Sequence, residues 1–207
     1  MTIRVPSAAM ARQAFLPSPL SLGGKTLLLG WLVAAGLALS SPPALAGESP
    51  AGSVVTADER GASLTHIDLG NGTASRHAIG IAPHNVQLGA AGRYLMAVGE
   101  PVSDDHAHGH AHAHGAAPGT LKLYPANDPT GAPLASIEVG SHPAHVVSDL
   151  EGRFAFVTNA GDDSVSVVDL EARESVATIA TGEYPHGLRL SPDGRELYVA
   201  NVLDGSV

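Results

Sequence analysis

The stretch GEYPHGLRLSPDGRELYVAN, residues 182–201, decides the fold. It contains two runs of alternating apolar and polar character, 186–191 and 196–201, joined at Pro192-Asp193-Gly194-Arg195. Alternation with period two puts successive side chains on opposite faces, and a Pro-Asp-Gly joint favours a tight turn. The stretch therefore predicts a β-hairpin. The same frame recurs upstream. Gly-Arg begins nine residues after each of Pro83, Pro143 and Pro185, as Gly92-Arg93, Gly152-Arg153 and Gly194-Arg195. A glycine stands three residues before each of these prolines, at Gly80, Gly140 and Gly182. An alternating run follows each Gly-Arg: YLMAVG (94–99), FAFVTN (154–159) and ELYVAN (196–201).

The last two units are 42 residues apart and the first two are 60 apart, which leaves an extra loop of 18 residues between them. Further alternating runs complete each unit: SVSVVDL (164–170), which matches SLTHIDL (63–69), and then VATIATG (176–182). Each repeat thus reads as four short strands in about 42 residues, which is the length and strand count of a propeller blade. We expect an all-β protein, a β-propeller of four-stranded blades, with about 3.5 blades present. Val54–Ala57 aligns with a second strand and Ser206-Val207 with the start of a third. The expectation is therefore a fragment of a seven- or eight-bladed propeller, since closure takes roughly four to eight blades.

FVTNAGDDSVSVVDL and GEYPHGLRLSPDGRELYVAN resemble the YVTN-type, YncE-like β-propeller repeats of exported bacterial and archaeal proteins. The resemblance runs from about Val54 onward and is strongest over 143–184. It departs in the unit of Pro83, where Gly89-Ala90-Ala91-Gly92 replaces the Ser-Pro-Asp-Gly turn and Ala97-Val98-Gly99 replaces Val-Thr-Asn. A blade that has diverged accounts for both.

Residues 1–46 read as a secretory signal peptide. Arg4, Arg12 and Lys25 form a positive flank, TLLLGWLVAAGLAL (26–39) an apolar core, and Ala44-Leu45-Ala46 a cleavage pattern, with cleavage after Ala46. The apolar run falls short of the ~20 residues that a membrane span needs. We therefore expect residues 47–207 to act in the periplasm with no stable membrane anchor. Three of the eleven basic residues and none of the twenty acidic ones precede Glu48, so export takes the formal charge from −9 to −12. So acidic a chain argues against nucleic-acid binding, which needs a basic surface. The chain has no cysteine, which excludes disulfides, thiolate zinc sites, iron–sulfur clusters and C-x-x-C-H haem attachment. Any metal must be held by histidine and carboxylate.

Such groups are concentrated in an insertion at about 101–118. Asp104 and Asp105 precede His106, His108, His110, His112 and His114, which are five of the eleven histidines. Imidazole is a common ligand of zinc and also suits copper and nickel. Alternation with Ala and Gly lets a loop wrap several rings around one ion, whereas a strand would hold same-face neighbours about 6.5 Å apart. The tract predicts a labile site that weakens below about pH 6, because only neutral imidazole binds metal. An inert, solvated insertion is the competing reading.

A second set, His84, His145 and His186, lies just after the blade-starting prolines, with His142 immediately before Pro143. Repetition brings these rings around a shared funnel near the axis, where they would bind a metal or a haem-like cofactor. Alternatively, each ties neighbouring strands by hydrogen bonds. No nucleophile elbow, H-E-x-x-H or phosphate loop is present after residue 46. No enzyme activity is expected.

The resulting expectation is a periplasmic propeller that captures or relays Zn²⁺, with Cu or Ni as alternatives, through the His-rich loop. This is similar to exported propellers that act as zinc chaperones, and it implies a periplasmic metal-transport partner. A propeller binding a d₁-type haem, or a redox-enzyme subunit, is the second expectation. A plain cell-envelope scaffold is the third.

Overall fold

The computed structural model describes residues 2–4, 51–102 and 117–207. Strand β1 is Thr2–Arg4. Three strands then form the first blade: β2 (Ser53–Asp58), β3 (Ser63–Asp68) and β4 (Ala74–Ala78). The second blade comprises β5 (Ile81–Leu88), β6 (Tyr94–Pro101), β7 (Gly119–Pro125) and β8 (Ala135–Val139). The third comprises β9 (Pro143–Ser148), β10 (Phe154–Asn159), β11 (Ser164–Asp169) and β12 (Glu174–Ala180). In the fourth, β13 (Pro185–Leu190) pairs with β14 (Glu196–Asn201), and β1 lies antiparallel along the other edge of β14. Each blade is an antiparallel meander. The architecture is thus an all-β, partial propeller of antiparallel sheets, two of them with the expected four strands and two with three among the described residues, and no described helix is long and apolar enough to cross a membrane.

The repeat anchors have conformational causes. Gly92, Gly152 and Gly194 all have left-handed backbone, with φ of 62°, 66° and 70°. That conformation crowds any side chain, so glycine recurs before each Arg. The Asn that ends β10 is buried, and its Nδ2 donates to Ser164 Oγ and Ser166 Oγ, both at 2.9 Å. This pins the turn between β10 and β11, which is further braced by Asp162 accepting from Ser141 N–H and Oγ–H. Asn201 repeats the brace through Ser206 Oγ at 2.9 Å. The second blade has Gly99 at this position, so the brace is absent there. Its β6–β7 connection is the long one.

Blades stack face to face, and this explains why YLMAV and FAFV read as almost continuous apolar runs. Both faces of a middle blade are covered. Leu95 and Ala97 of β6 turn toward Leu64 of the first blade, in a cluster with Ile79, Ile81 and Tyr124. The alternate residues, Met96 and Val98, join Leu121, Leu123, Val146, Val157 and Val168 in the cluster between the second and third blades. Phe156 and Val165 meet Leu188, Leu197 and Val199 between the third and fourth. The innermost strands β5, β9 and β13 consequently run side by side, and what they carry at one end faces a common space.

Candidate metal centre at the blade starts

Each innermost strand is irregular where its histidine sits. In β5, Pro83 pairs with Gly99 and Asn85 with Val98, so His84 is an extra residue. In β9, Pro143 pairs with Asn159 and Val146 with Val157, leaving Ala144 and His145 against Thr158 alone. In β13, Pro185 pairs with Asn201 and Leu188 with Val199, so His186 and Gly187 face Ala200. A bulge interrupts the ladder, bends the strand and re-aims a side chain. Here three successive bulges turn three imidazoles toward one another.

The result is compact. One ligand atom from each of His84, His145 and His186 lies within 4.8 Å of the other two. His84 Nε2 and His186 Nε2 are 3.2 Å apart. Tetrahedral nitrogen ligands at 2.0–2.1 Å from zinc lie about 3.3 Å from each other, so that pair already has metal-ligand spacing. Ring centroids are 4.7 Å apart for His145 and His186, 5.2 Å for His84 and His186, and 5.9 Å for His84 and His145. Tyr184 stacks on His186 at 6.3 Å.

Backbone ties fix the bulges. The hydroxyl of fully buried Thr158 donates to His186 O at 2.7 Å and accepts from His145 N–H at 3.0 Å. Asn85 Oδ1 accepts from Val146 N–H at 3.3 Å, joining the second blade to the third. Backbone tying is therefore the work of Thr158 and Asn85. Among the described residues, none of the three imidazole rings hydrogen-bonds to a neighbouring strand's backbone, but without a metal the Nε2 atoms of His84 and His186 are within hydrogen-bond distance of each other, a ring-to-ring tie between the second and fourth blades.

Burial and neighbouring charge set the protonation of two of the rings. Burial holds His145 below the ordinary imidazole value, and like charge from His186, His84 and Arg189 lowers it further. Burial, then His84, lowers His186. Both rings are thus kept neutral, as metal ligation requires. Glu59 Oε2 stands 3.6 Å from His84 Nδ1, too far for a hydrogen bond but placed to act on the ring's outer nitrogen.

Two cavities meet at the triad. His145 lines one of about 560 Å³ that also touches Asn85, Gln87 and Arg189. His84 and His186 line the other, of about 230 Å³, together with Glu59, Glu100, His142 and Tyr184. The second opens at the end of the blades from which the insertion departs: Gly99 pairs with both Pro83 and Thr120, and β6 ends at Pro101. The primary sequence candidates, Asp104, Asp105, His106, His108, His110, His112 and His114, lie outside the described residues. Residues 1–46, expected from sequence to be a signal peptide, do as well, apart from β1, which pairs with β14. The sequence did not single out Glu59, Glu100 or Thr158. The histidine spacing signals none of them, because they converge only through blade stacking.

The site and fold together define a propeller with a histidine cluster at its blade starts. No protein-family model matches the chain, and no curated protein does either. Among solved structures, it is similar to hydrazine synthase of Kuenenia stuttgartiensis, a propeller-containing protein, with a TM-score of 0.55 and 18% identity. That match covers 74% of this chain and 44% of the hydrazine synthase chain, so it shows the fold alone.

Proposed function

We propose that the protein is an exported metal-binding propeller of the YVTN type, in which His84, His145 and His186 hold one transition-metal ion, zinc foremost. The observation that carries this reading is the approach of three ligand atoms, from three successive blades, to within 4.8 Å. Three imidazoles leave one coordination position open for water or an incoming ligand. A site with an open position exchanges its ion more readily than a closed four-ligand structural site. The role is accordingly capture and transfer to a periplasmic metal-transport partner, not catalysis.

In this reading the His-rich insertion is the collector. Glu100, near the end of β6 where the insertion begins, lines the cavity shared with His84 and His186, whereas Pro101 and residues 117–119 line a neighbouring one; ions gathered by the insertion would pass to the triad by way of Glu100. Copper and nickel also suit imidazole ligands. A haem-type cofactor is less well supported, because Glu59 and Glu100 at that cavity would repel its carboxylates.

Zinc binding to the tag-free full-length chain, measured by competition with a chromogenic chelator, tests the proposal. Wild type is expected to bind one tight ion that His145→Asn or His186→Asn removes, together with weaker ions lost when the five tract histidines become Ser. Undiminished tight binding in both triad variants would overturn it.

A further inference from the structure

The cavity lined by His84 and His186 also carries Glu100 and His142 on its wall. His142 Nδ1 lies 2.8 Å from Glu100 Oε1 without an aligned hydrogen bond. Both residues line the same cavity of about 230 Å³ as His84 and His186, with Glu59 also on its wall. The Glu100 side chain is 46% exposed and that of His142 27% exposed, although His142 Nδ1 itself is buried, whereas His145 lines the other cavity. Glu100 is the penultimate residue of β6, at the foot of the insertion. His142 stands immediately before β9, held with its φ at 48°. The fold thus brings a carboxylate from the second blade and an imidazole from the third to the cavity that His84 and His186 also line.

We infer that Glu100 and His142 form a transfer subsite, a two-ligand resting position for a divalent cation on its way to and from His84, His145 and His186. This rests on the metal reading of the triad. A carboxylate and an imidazole from two blades supply a mixed oxygen and nitrogen pair. Two ligands hold an ion weakly, with water filling the remaining positions, so the ion moves on to the three-imidazole site. An ion passing this way exchanges its water for protein ligands in two smaller steps. A group that lowers the barrier between two states speeds both directions equally and leaves their equilibrium alone.

This separates a transfer subsite from simple charge attraction. Attraction alone raises the association rate and the affinity together, and salt screens it. The experiment is stopped-flow mixing of Co²⁺ with the full-length chain, followed by chelator-driven release. The triad signal is defined as the visible cobalt band abolished in His186→Asn. For Glu100→Gln the expected result is about a tenfold fall in both loading and release rates, with the dissociation constant within about threefold of wild type. His142→Asn should behave alike, since Asn tolerates a left-handed backbone. A loading rate that falls alone, with affinity weakened by the same factor, would reduce the pair to an attractive charge and overturn the subsite. Unchanged rates in both variants would overturn it as well. Loss of no cobalt band in His186→Asn would instead refute the triad, and this inference with it.

Discussion

At the scale of single residues, three imidazoles take their chemistry from position. His145 and His186 sit in a partly desolvated space beside like-charged neighbours, and both are harder to protonate than free imidazole. Protons compete with metal for the same nitrogens, so the triad should keep its ion to lower pH than ordinary imidazoles, whose reference value is about 6.5. Zinc retention measured against pH is therefore expected to fall in two steps, the tract emptying first. A single step shared by wild type and tract-substituted protein would contradict this. The same lowering affects stability without metal. Below about pH 6.5 the unfolded chain takes up protons that folded His145 and His186 refuse. Stability accordingly falls as pH drops through the window down to their folded values, and this contribution then levels off. Glu59→Gln removes the carboxylate beside His84 and should weaken zinc binding about tenfold, the lower end for loss of a group behind a metal ligand. Chelator competition measures that change.

Among structural elements, the strands were legible and the bulges were not. Alternation over 154–159 and 164–170 predicts β10 and β11, and the left-handed Gly92, Gly152 and Gly194 explain the recurring Gly-Arg. The prolines also predicted that His84, His145 and His186 share a space. That His145 and not His142 joins them was part of that expectation, and the register of β9 supplies the reason. Two residues of β9 oppose Thr158 alone, so the second residue after Pro143 is turned inward. A sequence pattern with period two carries no trace of an extra residue, because the flanking alternation simply resumes beyond it. Thr158 is equally silent in sequence, lying in an ordinary Val-Thr-Asn run. Yet Thr158→Val would leave His186 C=O and His145 N–H without this partner while keeping the side-chain shape. Urea unfolding should show a loss of about 1–3 kcal/mol, the cost of unsatisfied buried polar groups. Triad affinity should fall too, whereas Val157→Ala, which removes apolar volume from the neighbouring cluster, should cost stability with little effect on metal.

At the scale of the whole molecule, function depends on blades stacking in register. The apolar clusters between blades align β5, β9 and β13, and only that alignment brings residues 102 positions apart, His84 and His186, to 3.2 Å. Leu121, fully buried between the second and third blades, is a suitable probe. Leu121→Ala should destabilise the fold by about 2–5 kcal/mol. Removing 104–114 should instead leave unfolding unchanged, since both flanking strands are paired independently of it. The deletion should retain the single tight ion and lose only the weaker ones. The central claim is that one metal ion is held by three histidines from three successive blades. Crystallographic anomalous scattering at the zinc edge tests this most directly, on full-length protein loaded with one equivalent of zinc. The account predicts one dominant peak with His84, His145 and His186 nitrogens at about 2.0–2.1 Å. Zinc bound with those three rings left uncoordinated would contradict it.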